Sequence, residues 1–346
     1  MGDPAPSGSD QIRVVAPGRV NIIGDHTDYT GGLALPMAID RATTLAGTFD
    51  PGRISLSSAE VEGTVELDLT ALPPAGEVRP EWGRYVAAVA AELGTPGGVI
   101  GEVTSTIPTA SGLSSSAALE VAVALALGFE GPPLQLAQLC QRAEHAAVGV
   151  PSGLMDQLAI CAAEEGSAVL MDCHALTAQP VSMPDEVELV VIDSGEPRTL
   201  AGSAYEVRVR QCEAAEAIVG PLRLADPSAV ADIEDSVVAA RARHVISENQ
   251  RVRDAAEALS RSDAESLGRL MDASHRSLAT DYEVSTPTLE ALIRELGQTE
   301  GVLGARVTGA GFGGCVVALT RPGTIDAEWG TRSWVVAPAA GARRLD

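Results

Sequence analysis

Lysine is absent from the 346 residues: every one of the 24 basic side chains is arginine. That absence excludes a Walker A lysine, the strand lysine of protein kinases and every Schiff-base mechanism. A GC-rich genome or an acidic, salt-adapted proteome would account for the bias, yet the excluded chemistry is the same. Positive charge is scarce as well. Against 47 acidic residues the formal net charge is −23, which opposes nucleic acids and anionic membranes, since both demand a positive footprint. Long apolar runs are missing; Ala117 to Phe129, interrupted by Glu120, is too short to span a bilayer. The five cysteines are odd in number and form no CxxC pair, so buried thiols in a reducing cytoplasm are expected rather than disulfides or zinc. Residues 1–10 (MGDPAPSGSD) lack a basic and an apolar region, and Pro6 breaks the myristoylation pattern. A floppy terminus on a soluble cytoplasmic protein is the expectation.

What is present reads as globular: 45% hydrophobic and 21% charged residues, in a chain long enough for two domains. Short apolar strands are predicted at 12–15 and 20–23 around Pro17-Gly18, then at 43–48, 54–57 and 64–69. Helical spacing covers 82–93, followed by a strand at 99–105 and helices at 114–127, 134–147 and 154–162. Strands return at 168–171 and 187–192. Beyond Leu200 the pattern is mostly helical (205–219, 236–246, 251–259, 264–278, 288–296), closing on strands at 302–307, 315–319 and 334–336. This predicts an α+β fold of two domains, 11–174 and 175–346, around a cleft.

Four segments could carry chemistry. Pro108 to Ala118 (PTASGLSSSAA) lies between a strand and a helix; its small side chains let backbone N–H groups approach an anion, with the helix dipole behind them. Ser114, Ser115 and Ser116 add hydroxyls, one of which could ligate Mg2+, although a serine N-cap is the plainer alternative. Thr308 to Gly314 (TGAGFGG) formally contains GxGxxG, but a strand rather than a helix follows it, so a dinucleotide site is disfavoured against a glycine-rich turn. Gly18 to Gly32 (GRVNIIGDHTDYTGG) crowds Arg19, Asp25, His26 and Asp28 into an apolar β region, which suits vicinal hydroxyls or, less well, a metal. In Gly149 to Gln157 (GVPSGLMDQ), Asp156 is either a helix-start carboxylate or a functional one. The other histidines (His145, His174, His244, His275) are scattered and read as structural.

Together with 143–157 (AEHAAVGVPSGLMDQ), 205–215 (YEVRVRQCEAA) and 308–315 (TGAGFGGC), these stretches resemble the GHMP small-molecule kinases in order along the chain, nearest the members that phosphorylate galactose. The resemblance implies a two-domain α+β fold with ATP and Mg2+ in the cleft and γ-phosphoryl transfer to a sugar's anomeric hydroxyl, by a protein acting as a monomer. It implies Asp156 as the catalytic carboxylate with Arg19 beside it, and sugar contacts from Asp25, His26, Asp28, Gly153 and Tyr205. Phosphates would lie at Gly112, Leu113, Ser114, Ser115 and Ser116, and Mg2+ at Ser116 and Glu144. The glycine loop would close over substrate. Position 25 departs from the pattern: the signature usually has glutamate, and Asp25 is one methylene shorter. The resemblance makes galactose the expected acceptor, and the shorter Asp25 opens the alternative of arabinose or an N-acetylated hexosamine while leaving the kinase chemistry untouched. A silent sugar sensor is a further reading, which the intact Ser116-Ala117 and Asp156 oppose.

Overall fold

The computed structural model describes residues 11–95, 97–108, 111–149, 152–197, 201–325 and 332–345. The N-terminal leader, Thr109 and Ala110 of the phosphate loop, and Val150 and Pro151 lie outside the described residues. In chain order the elements are β1 (Gln11–Ile23), β2 (Leu33–Asp50), β3 (Arg53–Ser58), β4 (Val65–Asp68), α1 (Gly83–Leu93), β5 (Gly98–Ser105), α2 (Ser115–Ala126), α3 (Pro133–Val148), α4 (Met155–Ala162), β6 (Ser167–Asp172), β7 (Thr177–Ser182) and β8 (Glu188–Asp193). The helices α5 (Ala201–Val219), α6 (Ser236–Ser260), α7 (Ala264–Thr280) and α8 (Pro287–Leu296) follow, then β9 (Val302–Val307), β10 (Cys315–Thr320), β11 (Ser333–Val336) and β12 (Arg343–Arg344).

Two sheets result, and the fold is α+β. The larger runs β12-β1-β2-β5-β3-β4, with β6 and β7 added at the start of β2. The smaller, antiparallel throughout, runs β11-β8-β10-β9. α2 and α4 lie on β1 and β2, while α7 and α8 back the smaller sheet. β7 and the C-terminal β12 both belong to the larger sheet, although they follow residue 174. One continuous apolar core links the large sheet and α1–α4 to β8, β10, α6 and α7.

Three local outcomes depart from the sequence pattern for physical reasons. Pro17-Gly18 does not end a strand; β1 continues through a register shift between Pro17 and Arg19, the usual accommodation of a residue without an N–H. The helices expected at 236–246 and 251–259 are one, α6, because the polar Glu248 and Asn249 between them are buried and bonded to the signature segment. β7 (TAQPVS), largely exposed and holding Pro180, has no hydrophobic alternation to announce it.

Among the described residues no helix is long and apolar enough to cross a membrane. All five cysteines are free and four are buried. Burial pushes the thiols of Cys140, Cys161 and Cys173 up.

Candidate active site

The phosphate loop ends on α2 with Gly112 and Ser114 both at left-handed φ, 77° and 60°. Ser114 occupies the N-cap position, yet its hydroxyl caps nothing. It donates instead to Asp156 Oδ2, so the plain N-cap reading fails here. β1 passes directly beneath the loop. The Arg19 N–H donates to the Leu113 carbonyl at 3.1 Å, and a Cβ on Gly18 would stand 2.7 Å from that oxygen. Only glycine allows the approach.

Arg19 joins the loop to α4. Its guanidinium is 5% exposed and holds Asp156 bidentately, Nε to Oδ1 at 2.7 Å and Nη2 to Oδ2 at 2.6 Å. The remaining nitrogen, Nη1, donates to the Gly112 carbonyl at 2.6 Å. Such planar two-point pairing is what arginine offers and lysine does not. Nearby, Glu144 on α3 turns Oε2 to Ser152 Oγ (2.6 Å) and Gln157 Nε2 (3.0 Å), and Oε1 has no partner among the described residues. His145 has a local duty: its Nε2 accepts the Ser152 N–H at 2.9 Å and so shapes the turn before α4.

The opposite wall is built from residues 24–33. Asp25, 2% exposed, forms an ion pair with Arg306, which is fully buried, and its Oδ1 accepts the Gly309 N–H at 3.0 Å. Arg306 Nη1 also donates to the carbonyls of Asn21 and Ile22, at 3.2 and 3.1 Å. Asp25 therefore lines the cavity with both carboxylate oxygens already engaged by protein. His26 (φ 63°) contacts Tyr29 Oη through Nδ1 and the Ala310 carbonyl through Nε2. Burial, then the neighbouring His244, lowers the His26 pKa to about 3, which keeps the ring neutral. Three of the chain's four tyrosines (Tyr29, Tyr205, Tyr282) pack around it. Asp28 faces Gly153 so closely that a Cβ there would lie 1.7 Å from its Oδ2. Burial, then the adjacent Asp156, pushes the Asp28 carboxyl up to about 7.

All the residues expected at sugar and catalysis border one polar cavity of about 180 Å³: Arg19, Asp25, His26, Asp28, Glu144, Gly153, Asp156 and Tyr205, roofed by Gly309 and Ala310. The loop bearing these last two is anchored by Phe312 N–H to the Val284 carbonyl (2.8 Å) and Gly314 N–H to the Glu196 carbonyl (2.9 Å). A strand, β10, follows it as expected. A second cavity, about 220 Å³, opens at Ser115 and Ser116 and is walled by Val61, Trp82, Tyr85, Val103 and Leu119. Sequence reasoning missed it. The only signal was two aromatics three residues apart, Trp82 and Tyr85, in a chain that is 3% aromatic. The Trp82 indole N–H there is buried without a partner.

A phosphate loop bridged by an arginine–aspartate pair, set between a small polar cavity and an apolar one in this two-sheet frame, defines a GHMP-type small-molecule kinase. Residues 83–164 match the GHMP kinase N-terminal domain and 255–328 the C-terminal one, while 7–49 match the galactokinase galactose-binding signature. Galactokinases from Bos taurus and Homo sapiens are each 40% identical, over 89% of this chain and 83% of theirs. The crystal structure of Lactococcus lactis galactokinase complexed with galactose superposes with a TM-score of 0.88 at 31% identity, covering 97% of this chain and 96% of that one. The Methanococcus jannaschii mevalonate kinase shares the fold, with a TM-score of 0.70 at 20% identity. The chain belongs to the galactokinase family.

Proposed function

We propose that the protein transfers the γ-phosphoryl group of ATP to the anomeric hydroxyl of galactose. The observation that carries this reading is the Arg19–Asp156 pair, which stands where the polar cavity meets the phosphate loop. Among the described residues, Asp156 Oδ2 accepts hydrogen bonds from Arg19 and Ser114 while Oδ1 is engaged by Arg19 alone; Oδ1 is therefore the oxygen proposed to take the sugar hydroxyl's proton. Arg19, fixed at three points, stabilises negative charge on the group in transfer. The amides of Gly112, Leu113, Ser114, Ser115 and Ser116 and the positive end of α2 receive the phosphates. The apolar cavity beside Ser115 and Ser116 suits the base of ATP: Trp82 and Tyr85 give it ring faces, and the unpartnered Trp82 N–H gives it a donor.

Ser116 and Glu144 fit Mg2+ as hard oxygen donors, a hydroxyl and a carboxylate with one oxygen free. The bound ion would offset phosphate charge that no lysine is present to offset. At the sugar, Asp28 supplies the carboxylate with hydrogen-bonding capacity to spare, with His26, Gly153 and Tyr205 completing the wall; Asp25 borders the site as the group that sets its roof. The two domains proposed to wall the cleft are 11–174 and 175–346. A cytoplasmic location follows from the cysteine usage, and a monomer from the resemblance.

Phosphorylation of a panel of sugars (galactose, arabinose, N-acetylgalactosamine) with ATP tests this, the expected result being galactose 1-phosphate as the dominant product. Brisk turnover of another sugar with none of galactose would overturn the acceptor and leave the kinase.

A further inference from the structure

Beside the metal-binding carboxylate lies a buried pair that the transfer mechanism does not use. Glu120 on α2 and Gln157 on α4 are both 0% exposed. The Gln157 amide donates to two carboxyl groups, at 3.0 Å to Glu144 Oε2 and 3.2 Å to Glu120 Oε2. Two buried oxygens, Gln157 Oε1 and Glu120 Oε1, are left with no hydrogen-bond partner among the described residues. An orphaned buried acceptor is costly, and turning the amide over would only set its oxygen against two carboxyls. The charges acting on Glu120 are those of Glu144 and Asp156, both acidic, and burial together with them holds its carboxyl well above the usual range. One proton on Glu120 Oε1 would resolve both orphans. A protonated Oε1 would be a donor on the same carboxyl whose Oε2 accepts from Gln157 Nε2, and so could serve the orphaned Gln157 Oε1.

We propose that Glu120 and Gln157 form a closed carboxyl–amide pair that positions Glu144 for the metal. With its amide locked on one side by Glu120, Gln157 presents a fixed N–H to Glu144 Oε2. Ser152 holds the same oxygen, so Oε1 is left without a partner among the described residues, on a residue that lines the cavity. The inference rests on the kinase reading, because Glu144's duty at the metal is what gives the pair its purpose. Gln157 and Glu120 are positioning residues; neither borders the polar cavity.

The variant Glu120→Gln decides the matter, because a neutral amide reproduces both the donor and the acceptor of a protonated carboxyl. Mn2+ uptake with ADP, followed by electron paramagnetic resonance, gives a readout that needs neither sugar nor turnover. Glu120→Gln is expected to keep the wild-type uptake and thermal midpoint. Gln157→Met and Glu120→Met are expected to weaken uptake about 10- to 100-fold, the usual consequence of removing an outer partner of a metal ligand. A Glu120→Gln protein that fails to fold, or that loses uptake as Glu120→Met does, would overturn the pair. Wild-type uptake by Gln157→Met would overturn it too. Wild-type protein that takes up no Mn2+ with ADP would instead overturn the kinase reading, and the pair's role with it.

Discussion

At the sugar end of the cleft, residues 24–33 are tied to distant elements by buried polar bonds. Asp25 is held by Arg306 and Gly309, the Gly24 N–H by Glu248, and the Leu33 N–H by Asn249. At the proposed base end, Val61, Trp82, Tyr85, Val103, Ile107 and Leu119 wall a largely apolar cavity, and the polar groups on it (Thr43, Ser58, Glu60, Ser105, Ser115 and Ser116) come from separate segments rather than from one buried network. The difference is energetic. Buried charges and amides are bound by direction, so removing one member strands its partner in a medium that cannot replace it. Apolar walls are governed by area and shape, so their losses are graded. The sugar end is therefore expected to be brittle and the base end tolerant.

The largest effect is expected where the two ends meet. Asp156→Asn keeps the shape but removes the carboxylate proposed to accept the proton, and kcat should fall by about 10²- to 10⁴-fold. Galactose binding, followed by calorimetry, should stay measurable, and near-normal turnover would remove Asp156 from its role. The next effect tests brittleness directly. Arg306→Met leaves Asp25 as an unpaired buried carboxylate, and breaking a buried pair in this way costs about 3–5 kcal/mol of stability. Urea unfolding would show it. A loss no larger than that of an ordinary surface change would end the contrast between the two regions.

The chemistry-bearing segments were legible because each places small or charged residues where a strand or helix pattern has no use for them: Gly112 to Ser116 before a helix, Arg19 and Asp25 in an apolar β run. The helix periods gave the α-rich second half for the same reason. What could not be read is pairing over distance. Asp25 and Arg306 are 281 positions apart, and nothing local in either tells that one neutralises the other. The same holds for Glu248 and Asn249, which look like a polar break in α6 until their partners in the signature segment are seen. The base cavity escaped because its walls come from five separate elements, β2, β3, α1, β5 and α2, and the loops between them, and beyond the spacing of Trp82 and Tyr85 none carries a local signal of it.

At the tolerant end, Trp82→Ala should raise the KM for ATP about tenfold, the loss of one aromatic face together with some buried area. The KM for galactose and the unfolding midpoint should change little. Steady-state kinetics with each substrate varied in turn would check this. A comparable rise in both KM values would mean that the two ends are mechanically coupled, and would blur the comparison.

The smallest effect runs in the opposite direction, as a gain. The Asp28 carboxyl is raised from its ordinary 3.8 to about 7, by burial first and by Asp156 second, so ionising it works against the folded state. Between those two values the folded chain binds a proton more tightly than the unfolded chain, and the stability this confers is lost as pH rises through about 7. Asp28→Asn removes that loss. The variant should be more stable than wild type at pH 8, on the order of 1 kcal/mol for this largely buried side chain. The gain should shrink as pH falls through 7 and vanish below about 4, while sugar turnover suffers throughout. Urea unfolding of the sugar-free protein across that range measures it. A gain independent of pH, or one that grows toward acid, would show that Asp28 sits at ease in its wall. The sugar end would then hold its carboxylates by pairing alone, without a strained one kept for the substrate.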